Sequence, residues 1–230
     1  MLALLFLLAD LWLIFVGFFF GWRFIRRYGN YLLGLEWLVV GVSATNFLVG
    51  SLFSGSNPQP FLNVAYLLDA FSRSLGITLI LVLGLMAVTH GFKPRPAVDV
   101  VIFAGAALVA YLLAPFHDDQ LHVPVATFFL VMNLLTTIFL AYVVTRLWAA
   151  GARALAGWTA VVTAAGTFIA LTYDFFPLPF DDADRTVFYT LALLTWGAQG
   201  FVYFYAYRAL DRHNSHLTSE VSHNRLAAHS

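Results

Sequence analysis

Seven long apolar segments, separated by connectors of only a few residues, dominate this chain. An α-helix needs about 20 residues to cross a hydrocarbon core about 30 Å thick, and each segment reaches that length. Helices also satisfy their backbone hydrogen bonds internally, as hydrocarbon requires. The sequence therefore predicts an all-α integral membrane protein, a bundle of seven transmembrane helices within residues 1–208. The predicted spans are Leu2–Trp22, Tyr31–Phe53, Phe61–His90, Ala97–Phe116, His122–Trp148, Ala154–Phe175 and Val187–Tyr207.

Composition agrees with a membrane location. Hydrophobic residues make up 61% of the chain and charged residues only 10%, whereas soluble domains carry roughly 25% charged residues. The absence of cysteine excludes disulfide bonds and thiolate metal ligands. The net charge is zero, and no basic patch suggests a nucleic-acid partner. The lipid bilayer is the first expected partner, and a bacterial inner (plasma) membrane is the expected location.

The basic residues indicate an orientation. By the predicted topology, ten of them lie on one side of the membrane, whereas Arg185 alone lies on the other. The positive-inside rule then places the N-terminus outside and the C-terminus in the cytoplasm. Residues 209–230 lack apolar periodicity and are predicted to form a disordered cytoplasmic tail. The ten basic residues are Arg23, Arg26, Arg27, Lys93, Arg95, Arg146, Arg153, Arg208, Arg212 and Arg225.

Several chemistries are disfavoured by what the chain lacks. Lys93 is the only lysine and lies in a short loop with prolines, so no retinal Schiff base is expected, since that bond needs a lysine within a helix. The sequence contains no HExxH motif, no nucleophile elbow and no Gly-rich phosphate loop. Enzymatic activity is therefore left open rather than indicated.

The third span carries two charges near its middle, Asp69 and Arg73. A charged residue at a bilayer centre costs about 2.5–3.5 kcal/mol on insertion scales, so such residues usually face the protein interior and pair. Residues four apart lie on one helical face, with the acid N-terminal to the base in the favourable order. We expect this pair to form the centre of the site, although a purely structural ion pair is an open alternative.

Other polar residues fall at related depths on several spans. If their faces turn inward, they form a pocket that reaches from the outer surface to about the middle of the membrane. Asp10 either completes a carboxylate–guanidinium–carboxylate triad with Arg73 or, unpaired, is a candidate proton carrier. Glu36 is expected to pair with His90 or Lys93, or to reach the interface. The predicted binding or proton-relay residues are Asp10, Asn46, Asp69, Arg73, Asn133, Asp174 and Gln199.

The predicted outer loops are acidic and contain histidine. His117, Asp118 and His122 offer nitrogen and oxygen ligands of the kinds that bind Zn or Mn, although their spacing matches no known metal motif. An outer metal ion is therefore possible. The alternatives are that loop aspartates cap helix N-termini, or that an acidic mouth attracts cations.

Gly17 and Gly21 form a GxxxG pattern in the first span, which is typical of close helix contacts. This face could pack on another helix of the chain, or join a second copy or another membrane-complex subunit.

Two functions from different classes fit these patterns. The favoured one is a small transporter or conducting unit that admits a small solute or protons from outside, because the polar residues lie on many helices. The alternative is an intramembrane metal-dependent enzyme that acts on a lipid-like substrate at the outer loop. A third possibility is a ligand sensor or an accessory subunit of a membrane complex.

Overall fold

The computed structural model describes residues 2–52, 59–117, 121–176, 178–183 and 185–228, with only the backbone for 218 and 220–228. The described chain is all-helical, with helices joined by short connections, and contains seven helices long and apolar enough to cross a membrane, which confirms the predicted number. The elements are α1 (Leu2–Tyr28), α2 (Tyr31–Leu52), α3 (Gln59–Phe71), a π-helical segment (Ser72–Ile80), α4 (Leu81–Thr89), α5 (Pro96–Leu113), a 3₁₀ turn (Ala114–Phe116), α6 (Val123–Ala149), α7 (Arg153–Asp174) and α8 (Thr186–Ala228).

Six of the seven spans close into a ring. The third span comprises α3, the π segment and α4, and around the ring α1 packs on α2, α2 on the third span, the third span on α6, α6 on α7, α7 on α8, and α8 on α1. The remaining span, α5, lies outside the ring, mainly against the third span. One end of the bundle, here the His117 end, carries the α5–α6 and α7–α8 connections. The opposite end, here the Asn30 end, carries the α1–α2, α4–α5 and α6–α7 connections.

The α1–α2 hairpin shows how local chemistry sets a helix boundary. Gly29 has a φ of 60°, a left-handed conformation that ends α1 at low steric cost, and the next N–H, of Asn30, donates to Phe24 O at 3.1 Å. The Asn30 side chain accepts from the Leu33 N–H at 3.1 Å and donates to Gly84 O at 2.8 Å. One residue therefore caps α2 and ties the hairpin to the third span.

The Gly17 and Gly21 pattern is used within the chain. A Cβ atom on Gly17 would lie 2.7 Å from Gly41 Cα, and one on Gly21 would lie 2.9 Å from Gly34 O, so the backbones of α1 and α2 meet at these glycines. The helix-contact interpretation is confirmed. In this structure α2 of the same chain packs on these glycines; an interface with a second copy or another membrane-complex subunit through this face stays a prediction.

The third span departs from the single regular helix predicted over Phe61–His90. Its middle is π-helical, and at the end of this segment the Leu81 N–H donates to Gly76 O, five residues earlier. The Ser74 hydroxyl donates to Phe71 O at 3.3 Å, just before the segment, and the Thr78 hydroxyl donates to Ser74 O within it at 2.6 Å, which favours a local change of helix geometry. Such segments are often found at functional sites.

The last helix also differs from its prediction. Residues 209–228 continue α8 as a helix, so the predicted disordered tail is corrected for these residues. This stretch contains neither proline nor glycine, so no helix breaker stops the helix at the bundle surface. Asn214 in this extension donates from Nδ2 to Val88 O at 2.7 Å, which attaches its first turns to α4.

Candidate functional site

A cavity of about 680 Å³ occupies the centre of the ring. At the His117 end it reaches half-exposed residues such as Phe116 and Leu121. At the other end it stops at Tyr203, Leu140 and Leu81, each less than 5% exposed. The cavity therefore opens toward one end of the bundle and is closed at the other.

Arg73 lies between two carboxylates, in the half of this cavity nearer the His117 end. Its Nη1 donates to Asp69 Oδ2 at 3.3 Å, which confirms the pairing predicted from the i,i+4 spacing. Its Nη2 forms a short ion pair with Asp174 Oδ2, from the last turn of α7. The three side chains are only 12–20% exposed. Two helices thus supply a carboxylate–guanidinium–carboxylate triad.

Asp69 has two further partners. The Tyr173 hydroxyl donates to Asp69 Oδ1 at 2.9 Å, and His117 Nδ1 lies 3.3 Å from Asp69 Oδ2. The His117 ring in turn stacks on Tyr66, with centroids 4.3 Å apart. These contacts join the third span to α7 and to the segment after α5.

Two aromatic rings hold the guanidinium of Arg73. Its Cζ lies 3.8 Å from the centroid of Tyr173 and 4.3 Å from that of Phe129. Tyr173 lies next to Asp174, at the end of a span where the sequence places pocket residues, whereas Phe129 is not singled out, because aromatic residues occur throughout the chain. The position of Phe129 one turn before Asn133 was the available signal. Arg73 is thus engaged by carboxylates at its edge and by aromatic rings at close range.

Asp10 does not join this cluster, so the triad forms with Asp174 instead of Asp10. Asp10 is fully buried, and neither of its oxygens has a hydrogen-bond partner within the described residues. The reason is the rotation of α1, which packs on α2 and α8; among the described α1 residues only Leu13 lines the cavity. The unpaired alternative predicted for Asp10 is the one found.

Asn46 also lies away from the cavity lining. Its Nδ2 donates to Phe61 O at 2.9 Å and links α2 to the start of α3. The structure therefore gives Asn46 a packing contact and no place in the site.

Between the charged cluster and the closed end of the cavity, the polar residues of the cavity wall are uncharged. Asn133 and Gln199 are both here, as predicted; Gln199 Nε2 donates to Val162 O at 3.1 Å, whereas Asn133 Oδ1 is buried without a partner in the described chain. The hydroxyls of Thr163 and Tyr203 lie 3.0 Å apart. This part of the cavity, between the charged cluster and the closed end, is called the lower chamber. It offers hydrogen-bonding groups without a formal charge.

Arg185 lines the cavity near its mouth. It has a φ of 54°, unusual for a residue other than glycine, and its Nη2 donates to Thr172 O at 3.2 Å. Its Cζ lies 4.1 Å from the centroid of Phe188. From the sequence, Arg185 stands out only as the single basic residue on one predicted side of the membrane. The fold brings it to the mouth of the cavity.

The aspartates before α8 act as helix caps. Asp181 accepts the N–H groups of Val187 and Phe188 at 2.9 and 2.8 Å, and Asp182 accepts that of Thr186 at 2.8 Å. The cap interpretation of the acidic loops is confirmed for these two residues.

The predicted metal ligands do not form a metal site in the described chain. His117 contacts Asp69 and Tyr66, and His122 lies edge-on to Phe116 at 5.4 Å. Asp118, together with Asp119 and Asp184, lies outside the described residues. Among the residues that are described, no group of three His, Asp or Glu side chains is arranged to hold a metal ion.

Comparison of the chain with protein-family models, with curated proteins and with solved structures found no match. A function must therefore be argued from the cavity and its charges.

Proposed function

We propose that the protein is a small transporter or conducting unit, in which a small solute or protons enter the central cavity from the His117 end. The proposal includes the orientation inferred from the basic residues, with this end outside a bacterial inner membrane. The observation that carries it is the cavity of about 680 Å³ that opens at one end of the bundle and stops at buried residues on the other. A cavity of 300–1,000 Å³ is the usual size for a small-molecule site.

The one-sided opening fits a transport cycle. At its closed end the cavity meets Leu81, Leu140 and Tyr203, which belong to the main apolar core. Alternating access requires such a closed side to open while the first side closes around a site near the midplane. A cavity open at one end only therefore supports the proposal of such a cycle.

The charges favour a solute that is bound by neutral groups. The described lining carries two acids, Asp69 and Asp174, and two arginines, Arg73 and Arg185, so its formal charge balances. The guanidinium of Arg73 already has two carboxylates and two rings as partners, and an anionic solute would have to displace one carboxylate. In the lower chamber the unpartnered Asn133 Oδ1 instead accepts a hydrogen bond from an uncharged solute.

Thiol labelling tests access to the cavity, because the chain has no cysteine of its own. Ser43 lines the cavity, whereas its neighbour Val42 is 48% exposed at the outer surface of the bundle. A membrane-impermeant maleimide added to intact cells is expected to label Ser43→Cys and not Val42→Cys, since the reaction needs a hydrated thiol. Equal protection of both positions from either side of the membrane would refute an accessible cavity.

Flux in reconstituted vesicles tests transport itself. The probes are protons, followed by a pH-sensitive dye inside the vesicles, and glycerol and urea, followed by osmotic swelling. Asp69→Asn is expected to abolish the flux seen with the unmodified chain, because it removes one of the two carboxylates that bind Arg73 and leaves the described cavity lining with an excess of positive charge. The matched control is Asp99→Asn, an acid on α5 outside the ring. Flux that survives Asp69→Asn, or no flux of any probe, would contradict the proposal.

A further inference from the structure

Glu36 on α2 is a further buried acid that does not belong to the cavity lining. Its exposure is 0%, and neither carboxyl oxygen has a hydrogen-bond partner within the described residues. The pairing with His90 or Lys93 predicted from the sequence is wrong, because the side chain points toward the π segment. The charged cluster around Arg73 therefore does not account for this group.

The carboxyl group of Glu36 lies against Gly76. A Cβ atom on Gly76 would be 2.7 Å from Oε1 and 3.0 Å from Oε2 of Glu36, so the carboxyl group occupies the room that a side chain at position 76 would need. Gly76 is buried in the middle of the π-helical segment. The acid and the irregular part of the third span are thus packed together.

Within the described parts of the chain, no ion pair or hydrogen bond compensates Glu36. The helices packed on α2 carry several ionisable groups, and within the described chain none of them forms a hydrogen bond or an ion pair with Glu36. The interior ones are Asp10 on α1, Asp69 and Arg73 on the third span, and Asp99 on α5; His90, at the end of α4, is exposed, and the arginines of α1 lie at its Asn30 end. A bare carboxylate in such surroundings is strongly unfavourable, and such a group takes up a proton instead.

We infer that Glu36 is an internal proton-binding site, linked through the π segment to the cluster around Arg73. In the conformation described here the proton resides on the carboxyl group. Its release leaves a carboxylate, which needs water or a cation, so α2 and the π segment must separate. The released proton passes to the water thus admitted.

The position of Gly76 explains the link. It follows Arg73 by three residues in the same π segment, so a displacement at Gly76 changes the placement of Arg73 relative to Asp174 on α7. Proton release at Glu36 is thereby coupled to the geometry of the cavity. The link rests on the proposed transport function, whereas proton binding by Glu36 does not.

Infrared spectroscopy of the purified full-length chain in lipid nanodiscs tests proton binding. At neutral pH we expect a carboxylic-acid C=O band that shifts in D₂O and that loses one component in Glu36→Gln. The matched control is Asp10→Asn, which removes a different component, because Asp10 is the other fully buried acid without a partner. A Glu36→Gln difference spectrum that shows only carboxylate bands at neutral pH would overturn the inference.

Gly76→Ala gives a second measurement that keeps the acid in place. The added methyl group would press on both carboxyl oxygens, so the Glu36 component is expected to shift in frequency without being lost. Gly105→Ala is the control, because a Cβ atom there meets no atom within 4 Å. A spectrum that Gly76→Ala leaves unchanged would overturn the contact on which the inference stands, even if Glu36→Gln does not fold.

The link to the cavity has its own readout. The rate of maleimide labelling at Ser43→Cys is divided by the rate for a free thiol at the same pH, because the thiolate is the reacting species. This ratio is expected to depend on pH, and Glu36→Gln is expected to remove the dependence. A pH dependence that survives Glu36→Gln would overturn the link while leaving the proton site intact. Glu36 bands without any vesicle flux would instead refute the transport proposal alone.

Discussion

Arg73→Met tests whether Arg73, Asp69 and Asp174 form a buried ion-pair cluster, in which the charge of Arg73 compensates the two carboxylates. Removing one partner of a buried ion pair costs about 3–5 kcal/mol, because the remaining charge is uncompensated. Two carboxylates lose their cation here, but Asp69 and Asp174 keep 18% and 20% side-chain exposure, so solvent offsets part of the second penalty. We therefore expect the free energy of unfolding to fall by about 3–5 kcal/mol.

A triple variant separates charge from packing. Arg73→Met also removes the cation–π contacts with Phe129 and Tyr173, which contribute about 0.5–1 kcal/mol each at exposed sites and about 2 kcal/mol when desolvated. The Met side chain recovers part of this by its own contacts with the rings, worth about 0.3–1.5 kcal/mol each. Adding Asp69→Asn and Asp174→Asn removes the uncompensated charges and leaves mainly this loss. The free energy of unfolding of the triple variant is therefore expected to be only about 1–2 kcal/mol lower than that of the unmodified chain.

The assay is reversible unfolding in detergent micelles with increasing dodecyl sulfate, followed by tryptophan fluorescence. Arg153→Met is the control, because Arg153 is exposed and lies 5.5 Å from the ring of Trp148; it should change stability by less than about 0.5 kcal/mol. If the triple variant is as unstable as Arg73→Met, ring packing rather than charge accounts for the loss. An Arg73→Met variant of unchanged stability would refute the buried cluster.

Two further variants probe other parts of the bundle in the same unfolding assay. Gly166→Ala places a methyl group against Gln199 Nε2 and should break the hydrogen bond from Gln199 to the Val162 carbonyl of α7, lowering the free energy of unfolding by about 1 kcal/mol. Gly157→Ala is the control and should leave stability unchanged, because a Cβ atom there meets nothing within 4 Å. Equal effects of the two substitutions would argue against the contact between Gly166 and Gln199. Asn214→Ala removes the hydrogen bond to Val88 O and should cost about 1 kcal/mol without loss of helicity by circular dichroism. Unchanged stability would mean that the extension of α8 does not dock on α4.

The limits of the sequence are clearest for the acids of the spans. Asp69 and Arg73 are four residues apart, and helix geometry alone brings them together. Asp174 lies 101 residues from Arg73 along the chain, and Asp10 has the same chemistry. The choice between them depends on how α1 and α7 are rotated about their axes. Apolar residues cover the lipid face and the packed face alike, so a membrane helix carries little amphipathic signal for that rotation.

Helix ends and helix middles also differ in how far the local sequence predicts them. Gly29 ends α1 by its own backbone freedom, so the first hairpin follows from local sequence. The π segment is accompanied by a carboxyl group from another helix, Glu36, packed on Gly76, and no local pattern in the third span predicts that contact. The extension of α8 was missed because a polar stretch without helix breakers can be either a tail or a helix.

The amino-acid sequence by itself determined the all-helical class, the seven helices long and apolar enough to cross a membrane, and the Asp69–Arg73 pair, because helix length, hydropathy and i,i+4 spacing are local properties. The tertiary structure alone decided which acid completes the triad, where the cavity opens and what lies against Glu36. Those features depend on helix rotation and on contacts between distant parts of the chain, which local patterns do not encode.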